Sequence, residues 1–533
     1  MKLCKLTSSR QRVMEGRVGW PVSSVFLSLF LKWLFVVLTV DIATSARLLQ
    51  VPLQYRHIQH DADLLDDTFQ VRDRRETGDS PTPTSGSPPS GNLKGRPGQG
   101  YYITVYIGTP PQEINVLVDT GSSNFAVAAY PDPFVTTYFH RENSSTLEEL
   151  GMMVNVPYTQ GKWEGPLVRD QVTLSILPDI TVPAQVACIT DSQGFFINAS
   201  NWQGILGLAY AKIARPDSTV EPYFDSLIKS AQVESVFSMQ LCGPVLNADS
   251  TGLAMAGTMV IGGVDESLYE GPLFTSPIHR EWYYEVVITD VEVDAESLNM
   301  DCKEYNFDKT IVDSGTTNLR LPIKVYNQVV TRIKSKLKAS GMSVFPSSEF
   351  WNGDDSMCWS KDESANSNFP SISLSLSHTY NSVFKLVLFP HHYLRPVDLS
   401  DIAQGEECFK FAISSSDSGT VLGAVVMEAF YTVFDRKNKT IGFGKSRCTT
   451  SKSFIQGFFH YKGNSTLCAY VKPVRDDTTL TIVAYVMAGV CVLCILPLVL
   501  LGIQWQMRKF SACRKQGRHS EDNDERPLHE ESR

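Results

Sequence analysis

Asp119 and Asp313 each end an apolar run and open a closely similar tetrad, Asp-Thr-Gly-Ser at 119–122 and Asp-Ser-Gly-Thr at 313–316. A single Asp-Ser/Thr-Gly is an ordinary turn, because Asp and Gly favour turns for independent reasons. Two copies, each behind the Val/Ile/Leu run of a buried strand (VLVDTGSSNF and TIVDSGTTNL), ask for a common purpose. Two carboxylates brought to one point cannot both ionise easily, so they share a proton. The ionised one can take a proton from water while the protonated one donates to a carbonyl oxygen, and the water then attacks an amide carbon directly. Such chemistry calls for no covalent intermediate, no metal and no cofactor. The glycines let each loop turn tightly. Thr120 and Ser314 are expected to bond within and between the loops, and Ser122 and Thr316 to bond the outer carboxylate oxygens.

Rival chemistries lack their residues. The sequence holds no HExxH and no Gly-rich phosphate loop. Its ten histidines show no metal-ligand spacing, and the pair His391–His392 reads as a loop or strand end. Cys491 and Cys494 form a C-x-x-C inside an apolar span, a poor place for zinc or redox work. The net charge of −9 is spread along the chain without a basic face, which argues against nucleic acid as a partner. With 43% hydrophobic and 20% charged residues, the composition is that of a globular protein.

Two loops meeting at one point need two supporting bodies. From 101 to about 450 the chain reads as mainly β, with short Val/Ile/Thr/Tyr runs bounded by Gly, Pro, Asn and Asp, the first opening at Tyr101. Helices are expected near 222–232 and 323–338, the second with Val325, Val329, Ile333 and Leu337 on one face. Each half also carries an apolar-Gly-apolar segment downstream of its Asp loop, GILGLAY at 204–210 and TVLGAVVM at 420–427. The expectation is two similar β lobes, 101–270 and 271–450, facing across a cleft that can hold an extended peptide by strand-like backbone bonds.

Both ends carry membrane signals. An apolar stretch at 22–40 follows Arg10, Arg12 and Arg17 and leads to Ala43-Thr44-Ser45-Ala46, the pattern of a signal peptide over 1–46; a retained anchor is the alternative. Residues 47–75 end in Arg72-Asp73-Arg74-Arg75 and read as a pro-segment with a furin-type processing site, so a furin-like convertase is an expected partner. Residues 76–100 are dense in Pro, Gly and Ser, as in a flexible linker. A luminal stalk at 451–479 precedes a charge-free apolar span assigned to a transmembrane helix at 480–504. Arg508, Lys509, Arg514 and Lys515 follow it, which puts the tail 505–533 in the cytosol and makes the chain a single-pass type I membrane protein. Seven cysteines fall on the luminal side; six can make three bridges in 15 ways, and Cys188, in an apolar run, reads as a buried thiol. Sequons at Asn143, Asn198, Asn438 and Asn464 all fall there too, as candidate glycosylation sites.

Over 101–450 these motifs resemble the pepsin-like aspartic proteases. DTGSSNFAVA, VPYTQGKWEG, NWQGILGLAYA, EWYYEVVI and DSGTTNLRLP extend the resemblance to the membrane-bound β-secretases (memapsins), and VPYTQGKWEG with FFINAS points to the amyloid-precursor-cleaving branch. The resemblance implies a bilobal, pseudo-two-fold fold with Asp119 and Asp313 as the catalytic pair. It implies a flap hairpin on which Tyr158 closes over substrate, Thr159 and Gln160 bond the substrate backbone, and Trp163 braces Tyr158. Leu117, Phe195 and Trp202 would line the pocket for the residue before the cut. Gly315, Thr316, Thr317, Asn318 and Arg320 would line the substrate side of the second lobe, the Arg320 cation favouring polar or acidic side chains. The implied bridges are Cys242–Cys448, Cys302–Cys468 and Cys358–Cys408.

The implied activity is an aspartic endopeptidase that cleaves peptide segments of type I membrane proteins, working in Golgi, endosome and at the cell surface, as a monomer or weak dimer. A paralogous secretase, a general acid protease and an inactive binding module are the alternatives; the last has no need to keep Asp119, Asp313 and Tyr158 together. The tail departs from the family by lacking a Leu-Leu sorting pair, and Cys494 and Cys513 are candidates for lipidation or incidental cysteines.

Overall fold

The computed structural model describes residues 49–56 and then the chain from 100 to 521, apart from 159–160, 176–178, 199, 232, 244–252, 343–344, 362–364, 398–404, 449–452 and 472–477. The expected signal peptide, most of the pro-segment and linker, and the last tail residues lie outside the described residues. One compact unit runs up to Tyr470, and the C-terminal helix belongs to a second unit.

The first unit is built of strands whose alternating side chains feed a continuous apolar core. The two Asp loops grow from the same local arrangement. In the first half, Gln112–Asp119 runs parallel to Gly204–Gly207, which is antiparallel to Phe125–Ala128, which is in turn parallel to Thr181–Ile189. In the second half, Thr310–Val312 runs parallel to Thr420–Leu422, which is antiparallel to Leu319–Pro322, which is parallel to Ile413–Ser416. The matched order is the pseudo-two-fold repeat that the duplicated tetrads called for.

The halves share a sheet as well as a pattern. A 14-stranded sheet carries the first half and continues through Val236–Leu241 into Phe430–Asp435 and Thr440–Ser446 of the second. A buried polar knot joins them too. The Tyr101 hydroxyl donates to Glu428 at 2.6 Å, and Arg395 meets the same carboxylate through both terminal nitrogens. Leu49–Arg56, from the expected pro-segment, lies as an antiparallel strand along Leu253–Ile261 of the same sheet.

The two expected helices are present at Tyr223–Ala231 and Ile323–Ser340. Val325, Val329, Ile333 and Leu337 are buried, and Gly341 ends the second helix in the left-handed region where glycine carries no Cβ penalty. Three disulfides join Cys242 to Cys448, Cys302 to Cys468 and Cys358 to Cys408. Cys188 is buried, and burial pushes its thiol up to about 12. The second unit is the helix Thr478–Glu521, whose apolar segment Tyr485–Arg508 is long enough to cross a bilayer.

Candidate active site

Asp119 is the last residue of its strand, and Asp313 follows directly on Val312. Both are buried. Each carboxylate is held from its own loop by the same two donors. The Gly121 N–H reaches Asp119 Oδ1 at 2.8 Å, and the Gly315 N–H reaches Asp313 Oδ1 at 2.8 Å. The other oxygens accept from the hydroxyls of Ser122 and Thr316.

The loops also hold each other. The Thr120 N–H donates to Ser314 Oγ at 3.1 Å, and the Ser314 N–H donates to Thr120 Oγ1 at 3.0 Å. The two hydroxyls pass their own protons across, Thr120 to the Val312 carbonyl at 2.9 Å and Ser314 to the Val118 carbonyl at 2.7 Å. Every one of these groups is buried, so each bond satisfies a donor or acceptor that water cannot reach. The two carboxylates are thereby brought together. Burial first, and the nearby Asp313 charge second, push Asp119 well above the usual carboxylate range.

The downstream apolar-Gly-apolar segments pass beneath the loops. The Leu208 N–H bonds the Asp119 carbonyl at 2.8 Å, and the Ala209 N–H bonds the Ser122 carbonyl at 2.9 Å. In the second half the Asp313 N–H bonds the Leu422 carbonyl at 3.1 Å, and the Ala424 N–H bonds the Thr316 carbonyl at 2.8 Å. The central glycines make room for this: a Cβ on Gly207 would stand 2.6 Å from the Ser123 carbonyl carbon, and one on Gly423 2.5 Å from the Thr316 oxygen.

Above the first loop, Glu148–Pro157 and Lys162–Leu174 form an antiparallel hairpin. Tyr158 begins its turn, with its N–H on the Gly161 carbonyl at 2.9 Å. The Trp163 indole N–H donates to the Tyr158 hydroxyl at 3.3 Å, and the Tyr158 ring stacks on Phe195 at 5.4 Å. Burial and then the Asp119 charge push the Tyr158 hydroxyl up. Leu117, Trp163, Phe195, Phe196 and Trp202 form one apolar cluster beneath the hairpin. Strand alternation explains the split: Val116 and Val118 face the main core, and Leu117 faces this cluster.

On the other side, the Thr317 carbonyl accepts from the Val425 N–H at 3.0 Å, and the Asn318 amide reaches Ser414 Oγ at 3.4 Å. Arg320 lies in Leu319–Pro322 beside Ser414, half-buried, and its Nε–H has no protein acceptor among the described residues. Gly315 is exposed and Thr316 partly so. Thr159 and Gln160 lie outside the described residues. Asn143, Asn198, Asn438 and Asn464 are all exposed.

This geometry can be set beside known proteins. The sequence model of the eukaryotic aspartyl protease family matches residues 100–446. A β-secretase of Strongylocentrotus purpuratus is 45% identical over 443 residues, covering 78% of this chain and 81% of its own length. The chain belongs to the pepsin-like eukaryotic aspartyl proteases, and within them to the β-secretase type. Pepsin A of Sus scrofa is 30% identical over 350 residues (64% of this chain, 80% of its own), and Pepsin-3 of Oryctolagus cuniculus 28% over 353 (64% and 80%).

As a β-secretase-type aspartic endopeptidase, the chain holds two site features that its sequence did not disclose. Tyr283 lies near enough to feel the carboxylates: burial first, then the charges of Asp313 and Asp119, push its hydroxyl up. Its neighbour Tyr284 is buried and donates to the Leu208 carbonyl at 2.6 Å. The aromatic pair was the available signal, but pattern alone does not say which ring meets the dyad. The second feature is the opposition of each loop glycine to the other loop's aspartate.

Proposed function

We propose that Asp119 and Asp313 are the catalytic pair, sharing one proton and one bound water. The carboxyl that holds the proton donates it to the scissile carbonyl oxygen. The ionised one takes a proton from the water as it attacks, and the tetrahedral species then collapses with the proton passed to the leaving amine. The observation that carries this reading is the adjacent, buried carboxylate pair, each member fixed by one N–H and one hydroxyl.

Tyr158, braced by Trp163, closes over the peptide; Thr159 and Gln160 bond its backbone. Leu117, Phe195 and Trp202 take the residue before the cut. Gly315, Thr316, Thr317 and Asn318 line the second lobe, and the half-buried Arg320 draws polar or acidic side chains. The substrates are ectodomains of membrane proteins, amyloid-precursor-like among them. A furin-like convertase acting after Arg75 readies the enzyme in the Golgi, for work in endosomes and at the cell surface. The C-terminal helix, spanning the bilayer, raises the effective concentration of substrates held in the same membrane.

The test is cleavage of an unbiased peptide library by the full-length chain at acid pH. Cleavage that tolerates acidic side chains on the leaving side, weakened in Arg320→Gln and abolished in Asp119→Asn, is the expected result. A strictly apolar profile would overturn the secretase specificity, and an active Asp119→Asn would overturn the mechanism.

A further inference from the structure

The surface just ahead of the C-terminal helix is unusual for a folded domain. Nearly half of the large apolar side chains exposed among the described residues up to Tyr470 gather at one corner: Phe307, Tyr380, Phe454, Phe458 and Leu467. Hydrogen bonds, strand pairing and packing link the segments that carry them. Phe454–His460 is the outermost strand of its five-stranded sheet, paired on one side with Ser382–Leu388. At its end the Tyr461 N–H donates to the Asn381 carbonyl at 2.8 Å, and the Ser465 N–H to the Tyr380 carbonyl at 2.8 Å. Cys468 is bridged to Cys302, and Tyr470 packs edge-on against Phe307 at 5.2 Å.

These side chains are well clear of the core. Phe458 rests partly on Phe274 and His378, yet it remains 49% exposed; Leu467 is 66% exposed. The strand FIQGFFH contains no Lys, Glu, Asp or Pro. Natural edge strands are usually blunted by such residues, because a bare apolar edge invites pairing. An exposed apolar patch of this kind marks a surface that is covered in use.

Chain length says what covers it. Cys468 is pinned to the body, and the helix begins at Thr478. Ten residues span at most about 35 Å when fully extended. If the helix crosses a bilayer through Tyr485–Arg508, about 10 Å of helix adds to that reach, so Cys468 stays within about 45 Å of the leaflet and the tether never releases it. Phe and Tyr with a neighbouring Lys462 are side chains that favour the boundary between headgroups and acyl chains. Only the side chains need enter the boundary; the open strand edge must stay among the headgroups, because unpaired backbone groups are not tolerated in hydrocarbon.

We propose that this corner is a lipid-binding foot. Phe454, Phe458 and Leu467 enter the headgroup–acyl boundary of the luminal leaflet and hold the catalytic body in a fixed posture. The proposal rests on the reading that the C-terminal helix spans the membrane. Asn464 stands on the same corner, so the glycosylated chain is the demanding sample.

The test places the full-length glycosylated chain in nanodiscs of phosphatidylcholine that include a phosphatidylcholine with a photoreactive acyl chain. Labelled peptides are then mapped by mass spectrometry. Labelling is expected on the helix and on 454–467, and not around exposed Tyr130 and Phe134 of the first half. In the triple variant Phe454→Ser, Phe458→Ser, Leu467→Ser, labelling of the segment should fall about tenfold or more, since burial of even one such side chain is worth about that factor. Cleavage of a soluble peptide should be unchanged, which reports that the variant is folded. A labelled helix with an unlabelled 454–467 would overturn the foot and leave the membrane reading standing. An unlabelled helix would overturn both. Cross-links from 454–467 to a second copy, or undiminished lipid labelling in the triple variant, would overturn the foot.

Discussion

Gly121 lies so close to Asp313 that a methyl group built on its Cα would stand 2.5 Å from the Asp313 Oδ1. The reciprocal holds: a Cβ on Gly315 would stand 2.7 Å from the Asp119 Cγ. Neither glycine is among the residues with positive φ. They are therefore glycines for space rather than for conformation, and each loop is shaped around the other loop's carboxylate.

It follows that Gly121→Ala and Gly315→Ala should each force the carboxylates apart. A displacement of about 1 Å in a reacting group can cost about 100-fold in rate. Each variant is expected to lose at least about that factor in kcat, with a smaller change in KM, while retaining its circular dichroism spectrum. Steady-state kinetics on a fluorogenic peptide decides it; a near-normal kcat would show that the contact is not limiting.

Asp119 also sets a pH dependence of stability. Its carboxyl is raised by burial and by the Asp313 charge. The folded state therefore holds this proton more tightly than the unfolded chain, in which an aspartate titrates near ~3.9. The stabilisation is complete below that value and is lost as pH rises through the raised folded pKa. Asp119→Asn removes this titration. Its unfolding free energy should fall less than that of the parent between acid and neutral pH, the difference growing by ~1.4 kcal/mol for each unit of elevation. Calorimetry of both proteins across that range tests the sign.

The exchange of hydrogen bonds between Thr120 and Ser314 should behave as a unit. Thr120→Val leaves the buried Ser314 N–H without its acceptor, which costs about 1–3 kcal/mol. Ser314→Ala does the same to the Thr120 N–H. In a double-mutant cycle followed by urea denaturation, the pair should couple by at least about 1 kcal/mol, whereas additive losses would mean the loops are held from elsewhere.

The Arg395–Glu428 pair makes a different prediction. Both are buried, and Glu428 also accepts from the Tyr101 hydroxyl. Arg395→Met alone strands the carboxylate and should cost about 3–5 kcal/mol. Adding Glu428→Leu should recover part of that loss, because two apolar groups no longer leave a lone buried charge. Denaturant midpoints of the three variants check the order.

Much of the active centre was legible because its chemistry dictates residue types at short range. The tetrads, their flanking strands, the hydroxyls that hold the carboxylates and the helix bearing Val325 to Leu337 are all local patterns. What escaped depends on residues distant in sequence. The cross-loop role of Gly121 needs Asp313 opposite it, and the bonding of Tyr101 to Glu428 spans 327 positions. His391–His392, read as a loop or strand end, forms part of the helical turn Pro390–Tyr393. There His392 is buried, accepts the Phe389 N–H at 3.0 Å, and is pushed down to about 3 by that burial and then by His391. The apolar neighbours Phe389 and Tyr393 favour that burial, and a periodicity count over so short a stretch does not register it.

The bridge between Cys302 and Cys468 has a mechanical consequence. If the C-terminal helix is held in a membrane, a pull on it reaches the first unit at Cys468 and passes through a covalent bond to Cys302. From there the load runs along Cys302–Tyr305 into Thr310–Val312 and arrives at Asp313. The strand Phe454–His460 is bypassed, so tension from a moving membrane would be borne by the segment that carries the second aspartate before it could peel the sheet.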